Sequence, residues 1–203
     1  MRLHAVFASV QGEGARMGVP SVFIRLAGCG LRCPECDTKE AWTVGREVPL
    51  EEILAEVDAL ARTRPGSQAV ITGGEPLEQD LAELTAALKR RGFFLALETN
   101  GRHFQALDVD WWTVSPKETG GYRVVDPLVP RIGEIKLVVT DALGPAVVAR
   151  VRRMRSDVPL FLQPEAGDPR RYETARRLFD GCVAAGIPGL RLGLQLHRIY
   201  GIP

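Results

Sequence analysis

The sequence predicts an α/β fold in which about six parallel strands form an open, partial TIM-like barrel with its helices outside. Three observations predict it. Short apolar strand patterns alternate with amphipathic helical patterns, which implies right-handed βαβ units. Polar motifs fall repeatedly at the C-terminal ends of the strands, the rim on which α/β barrels build their sites. The chain of 203 residues is short of the roughly 250 that a complete eightfold barrel takes.

Leu3 to Val10 reads as a strand, broken by Gln11-Gly-Glu-Gly14, whose glycines let backbone approach a ligand. Ser21 to Ala27 is the next strand. Its alternation places Val22, Ile24 and Leu26 on one face and Phe23 and Arg25 on the other, so a guanidinium projects just before a cysteine-rich loop. Pro49 opens a helix with Ile53, Leu54, Val57, Leu60 and Ala61 on one side, and Pro65-Gly66 closes it. Ala69–Thr72 is a short buried strand ending in Gly-Gly-Glu-Pro76. A second helix carries Leu77, Leu81, Leu84 and Leu88 and ends at Gly92. Phe93–Leu97 runs into Glu98-Thr-Asn-Gly101, Trp111–Val114 into Ser115-Pro-Lys117, and Glu134–Val139 follows an irregular stretch. Pro145 starts a helix with Val147, Val148, Val151 and Met154 inward. Leu160–Leu162 ends in Gln163-Pro164, Asp168-Pro169 caps the last long helix, Gly186 stops it, and Leu190–Leu194 leads into Gln195-Leu-His197.

Twenty-six basic and twenty-five acidic residues leave a net charge of +1, which supplies no global field for nucleic acid or an anionic membrane. No apolar run reaches transmembrane length and the N-terminus does not read as a signal peptide, so a cytoplasmic protein of one domain, residues 1–203, is expected. Clustered cysteines suit the same reducing compartment. Cys182 lies alone in a helical pattern, where it packs as a small hydrophobe. His4 and His103 are read as structural.

Chemistry concentrates in Cys29-Gly-Leu-Arg-Cys33-Pro-Glu-Cys36-Asp-Thr38. Three thiolates spaced C-x3-C-x2-C suit an iron-sulfur cube with one iron left open to a small molecule, whereas a closed zinc site takes four ligands. The same residues also allow a zinc knuckle completed by a distant histidine, or reduced cysteines that only fill space. Asp37 and Thr38 place oxygen ligands beside the thiols, suited to a hard cation such as Mg2+. Gly73 and Gly74 remove side chains where backbone would meet a ligand, and Glu75 offers a carboxylate to an amine. An ordinary strand-to-helix turn with a helix-opening proline would look the same.

These motifs, with Phe23-Ile-Arg25-Leu, Glu98-Thr-Asn-Gly101, Gln163-Pro164 and the ending Gln195-Leu-His197 to Gly201-Ile-Pro203, resemble the 7-carboxy-7-deazaguanine synthases of the radical S-adenosylmethionine superfamily. The resemblance implies a radical SAM core holding a 4Fe-4S cluster on Cys29, Cys33 and Cys36. It implies conversion of 6-carboxy-5,6,7,8-tetrahydropterin to 7-carboxy-7-deazaguanine with loss of ammonia, on the route to queuosine and related deazapurines, with S-adenosylmethionine used catalytically. Val10, Gln11, Gly12, Glu13, Arg25, Thr72, His197 and the α-carboxylate of Pro203 would hold the pterin, with Arg25, Glu13 and His197 at the reaction itself. Thr38 would ligate Mg2+. Asp37, Gly73, Gly74, Glu75, Asn100, Ser115, Lys117 and Gln163 would bind S-adenosylmethionine. A flavodoxin- or ferredoxin-type electron donor and a homodimer complete the implied assembly. Two readings from other classes stand beside it, a glycyl-radical-enzyme activase and a non-enzymatic iron-sulfur or zinc module. Metal analysis separates the second of these: zinc at one per chain marks a scaffold, iron with sulfide a cluster.

Overall fold

The computed structural model describes all 203 residues, Met1–Pro203. Nine strands build one sheet: β1 (Arg2–Val10), β2 (Pro20–Leu26), β3 (Arg46–Glu47), β4 (Gln68–Gly73), β5 (Leu95–Thr99), β6 (Trp111–Val114), β7 (Ile132–Val138), β8 (Leu160–Gln163) and β9 (Leu190–Leu192). Their spatial order is β3-β1-β2-β4-β5-β6-β7-β8-β9, so the sheet stays open between β3 and β9. From β2 through β4 to β9 every pairing is parallel. The expected parallel order departs at one side, where β1 is antiparallel to β2 and to β3. Residues 11–19 between β1 and β2 are too few for the crossover of about a dozen residues that a parallel pair needs.

Five helices are present: α1 (Leu50–Thr63), α2 (Ala82–Arg90), α3 (Pro145–Met154), α4 (Pro169–Ala184) and α5 (Leu196–Tyr200). Proline at or just before the first turn starts α1, α3 and α4, and the Asp168 carboxylate caps α4 by accepting from the Arg170 N–H. The second expected helix is shorter than its leucine spacing suggests. Leu77 sits in a separate 3-10 turn, Pro76–Glu78, and Gln105 satisfies the backbone between that turn and α2, accepting from the Leu81 N–H and donating to Leu77 and Gln79 carbonyls. All four leucines are nonetheless buried, which is why the spacing looked helical. The last strand ends at Leu192, and α5 forms where only a strand end was expected.

The two faces of the sheet differ. Val22, Ile24 and Leu26, then Ile71, Leu97, Val114, Ile135, Leu137 and Leu162, turn outward into one core under the helices. The inner face starts apolar, with Phe23, Val70 and Ala96 packed beside Phe7 and Trp111, and becomes polar toward the strand C-terminal ends. Period-two alternation therefore sends Arg25, Thr72, Glu98 and Lys136 to one interior layer. No helix is long and apolar enough to cross a membrane.

Cys182 is fully buried in the outer core and burial pushes its thiol pKa up, as a space-filling residue should behave. Cys182→Ala will cost about 1 kcal/mol in urea unfolding and leave bound iron at the wild-type level, whereas alanine at Cys29, Cys33 or Cys36 will abolish it; iron assay and denaturation curves on the same preparations check both.

Candidate active site

One cavity at the C-terminal ends of the strands gathers every residue singled out from the sequence. Cys29, Cys33, Cys36, Asp37 and Thr38 come from the loop after β2. Thr72, Gly73, Gly74 and Glu75 end β4, Asn100 follows β5, Ser115 and Lys117 follow β6, and Gln163 ends β8. Val10, Gln11, Gly12 and Glu13 enter from the end of β1, while His197 and Pro203 come from the C-terminal segment.

The cysteine loop is tied to the turn after β4. The Gly74 N–H donates to the Leu26 carbonyl at 2.9 Å and the Glu75 N–H to the Gly28 carbonyl at 2.7 Å. A Cβ on Gly74 would lie 1.9 Å from that Gly28 oxygen, and Gly73 has φ +129° with no room beside Leu26. The two glycines are therefore demanded by backbone meeting backbone, a closer constraint than the ligand approach inferred from sequence. The Glu75 side chain, 1% exposed, accepts from the Leu77 N–H, the Thr99 hydroxyl (2.7 Å) and the Asn100 N–H (2.7 Å). Burial raises its pKa against the pull of those donors. A carboxylate has about four acceptor positions, so one remains for a ligand.

Deeper in the cavity lies a buried ion network. Lys136 donates to Glu13, and its ammonium stands 3.9 Å from Glu98; the Lys136, Glu13 and Glu98 side chains are only 10%, 12% and 22% exposed. Gln195 donates to the other oxygen of Glu13 at 2.8 Å, and Glu98 accepts from Gln11 and Thr72 at 3.0 Å each. Burial alone would raise the pKa of either carboxyl, but the attraction of Lys136 and the hydrogen bonds win, and both are lowered. Burial would equally neutralise Lys136, yet the two carboxylates hold its pKa well above the ordinary lysine value. Arg25 is different. Its guanidinium sits 4.8 Å over the Phe7 ring, Phe7 stacks on Phe23, and no protein carboxylate pairs with it. Burial lowers its pKa, with Asp37 and Glu98 opposing, and a guanidinium stays charged regardless. His197 packs against Gly12, where a Cβ would fall 2.0 Å from Nδ1, and burial lowers its pKa, so the ring is neutral at pH 7.

Three free thiols line this cavity, Cys33 buried and Cys29 and Cys36 partly so. Burial pushes the Cys33 thiol pKa up, with the Thr119 side chain opposing. No three His, Cys, Asp or Glu groups converge as they would on one ion, and a cube whose thiolates each hold their own iron asks for no such convergence. Close by, Gln163 lines the cavity with its amide NH2 donating to the Pro164 carbonyl and its Oε1 buried against Gly193 without a partner. The Asn100 Oδ1 is taken by the Arg102 N–H, so its amide NH2 is the end left for a ligand. This donor set fits a three-cysteine cluster with a polar small molecule beside it.

Residues 23–115 match the radical SAM superfamily. A 7-carboxy-7-deazaguanine synthase of Rhodospirillum rubrum is 38% identical across 98% of this chain and 92% of its own, and one of Pyrobaculum aerophilum is 38% identical across 97% and 93%. One of Escherichia coli K12 is 36% identical across 98% of each. The chain belongs to the 7-carboxy-7-deazaguanine synthase family. The crystal structure of QueE from Escherichia coli superposes with a TM-score of 0.75 at 30% identity, covering 97% of this chain and 94% of that one. Membership in this family of radical SAM enzymes implies a 4Fe-4S cluster and S-adenosylmethionine, and the cavity described above accommodates both roles.

Sequence reasoning missed Glu98, Lys136 and Gln195 as cavity residues. A signal for one of them existed: Lys136, with Glu134, is a charged position in an otherwise apolar strand, and charge on the inward face of a buried strand marks a site. Glu134 proves to be a brace, accepting from the Ala15 N–H at 2.6 Å and the Thr113 hydroxyl at 2.7 Å.

Lowered carboxyl pKa values at Glu13 and Glu98 contribute stability that is present above the unfolded value, near 4.5, and lost as pH falls through the folded values. Lys136→Met leaves two buried carboxylates unpaired and will cost about 3–5 kcal/mol at pH 7. Because those carboxyls then gain protons more readily in the folded state, the gap to wild type will narrow as pH falls toward 4.5, which urea titrations at both pH values will show.

Proposed function

We propose that this protein converts 6-carboxy-5,6,7,8-tetrahydropterin to 7-carboxy-7-deazaguanine with release of ammonia. Arg25 carries the proposal: it is a charged fork in the cysteine-lined cavity, seated on an aromatic ring, with no protein carboxylate to neutralise it. A planar guanidinium grips a carboxylate through two parallel bonds, a geometry that lysine does not reproduce.

A cluster held by Cys29, Cys33 and Cys36 would, when reduced, supply with S-adenosylmethionine the radical chemistry that removes hydrogen from the carboxylate-bearing pterin carbon. The chain's own residues do the placing. Glu13 and Glu98, held ionised by Lys136, accept N–H bonds from the amino-bearing edge of the pterin, with Gln11, Thr72 and Pro203 beside them. The neutral His197 ring accepts or donates one bond without adding charge. Thr38 and the Asp37 carboxylate it donates to lie at the cysteine loop, where a Mg2+ ion would meet the substrate carboxylate gripped by Arg25. Ser115, Lys117, Asn100, Gln163 and the Gly73-Gly74-Glu75 backbone line the rest of the cavity, where S-adenosylmethionine would be held. Fixing both molecules on rigid strand ends supplies the proximity that hydrogen transfer requires.

The test is anaerobic turnover of the pterin by the reconstituted protein with reductant, S-adenosylmethionine and Mg2+, read by mass spectrometry. Carboxydeazaguanine will form without stoichiometric 5′-deoxyadenosine. Arg25→Ala will keep its iron and lose about a hundredfold or more in turnover, and Arg25→Lys will recover little of it; wild-type turnover in Arg25→Ala would refute the assignment.

A further inference from the structure

On the outer side of the cysteine loop the chain carries a patch of arginines that the site above does not use. The 3-10 turn Glu118–Gly120 and its cap, Gly121-Tyr122, lie against this loop: the Thr119 side chain contacts the Cys33 thiol, and the Leu31 side chain packs at Gly120. Arg102 donates to the Gly120 carbonyl at 3.2 Å and Arg150, from α3, to the Gly121 carbonyl at 3.1 Å. The Arg123 side chain flanks Gly121. All three are exposed, as is Arg32 next to Leu31.

None of these four arginines has a carboxylate within ion-pairing distance, although arginines elsewhere on the surface do, as in Arg91–Asp58, Arg171–Asp141 and Arg176–Asp180. Glu118, the one carboxylate in this turn, keeps its charge while accepting from the Thr140 hydroxyl at 2.8 Å, so the four arginines outnumber it and leave the patch positive. The result is local positive charge on a chain whose net charge is only +1. Two of the guanidiniums are anchored on backbone carbonyls, which holds them in place at small entropic cost to a partner. Thr119, in the same turn that the Arg102 and Arg150 guanidiniums bind, contacts Cys33 and so links this patch to the cysteine loop.

We propose that this arginine patch is the docking surface for an acidic, protein-borne one-electron carrier of the flavodoxin kind, which delivers its electron to the cluster through the 118–122 turn. Unpaired exposed charge of one sign steers an oppositely charged protein and makes association fall steeply with salt. The placement suits the task, because the turn that the arginines hold is in contact with a thiol of the cysteine loop through Thr119. The inference rests on the cluster assigned above and not on the identity of the substrate.

The experiment uses the reconstituted holoprotein without pterin. Stopped-flow absorbance follows cluster reduction by a reduced bacterial flavodoxin, and in parallel by dithionite. Calorimetry measures flavodoxin binding to the protein before reconstitution. Combined Arg102→Glu, Arg123→Glu and Arg150→Glu substitution will slow reduction by flavodoxin about tenfold or more at low salt, weaken flavodoxin binding, and leave reduction by dithionite unchanged. The milder Arg→Gln triple variant guards against misfolding, and Arg62→Glu on α1 will behave as wild type. Flavodoxin reduction at the wild-type rate in both triple variants, or a wild-type rate insensitive to salt, would overturn the proposal. So would patch-dependent binding of RNA or anionic vesicles with flavodoxin reduction unaffected. Absence of pterin turnover with dithionite would count against the proposed substrate and leave this surface standing.

Discussion

A single buried ammonium organises the interior of this open sheet. Lys136 projects from β7, and through Glu13 it fixes the loop that follows β1, which lies across the interior from it. Glu13 in turn accepts from Gln195, which leads into α5, and the Leu196 N–H donates to the Gly12 carbonyl at 2.8 Å. The two ends of the chain are thereby drawn into the side where β3 and β9 leave the sheet unclosed. A full barrel would close that side with ladder hydrogen bonds. Here closure rests on buried ion pairs and amides, which give less free energy than apolar contact but specify one register. The same atoms that seal the fold are the polar floor of the cavity, so the stability of the closure and the shape of the site are not separable.

The other half of the cavity is organised by backbone. Gly73 and Gly74 bring the turn after β4 against Leu26 and Gly28, close enough that no side chain fits between. Glu75 then fastens this turn to Thr99 and Asn100 at the end of β5. The cysteine loop thus hangs on two neighbouring strands through bonds that do not involve its thiols. All three thiols are thereby left free of the bonds that hold the loop in place.

Much of this was legible from local pattern. Alternation in β2 identified which face Arg25 takes, proline and Asp168 marked the helix starts, and the spacing of Cys29, Cys33 and Cys36 pointed to the loop by which all three line one cavity. What stayed hidden depends on distance in sequence. Lys136 and Glu13 are 123 positions apart and Gln195 and Glu13 182, and neither Glu13 nor Gln195 announces its partner. Glu75 shows a different limit of local pattern. Its motif suggested a ligand carboxylate, and what the motif did not reveal is that three of its acceptor positions also brace the protein. The reversed β1 and the short α5 were missed for geometric reasons, since loop length and chain reversal leave no signature in hydrophobic period.

The two cations inside the cavity show how structure separates support from recognition. Both are largely buried, and burial opposes the charge of each. Lys136 is over-compensated, with one carboxylate bonded and a second near, so a ligand anion arriving there would meet an occupied partner and two repelling charges. Arg25 is under-compensated, with aromatic faces beneath it and carboxylates only at a distance. Burial without a carboxylate is not by itself a sign of a ligand, since the more deeply buried Arg152 is satisfied by the Arg155, Val158 and Pro188 carbonyls. Of the two cavity cations, Arg25, over Phe7 and in the same cavity as Glu98 and the cysteine loop, is the one whose charge no carboxylate of the chain has taken, which leaves its planar fork open to an anion where Lys136 is already spent on support.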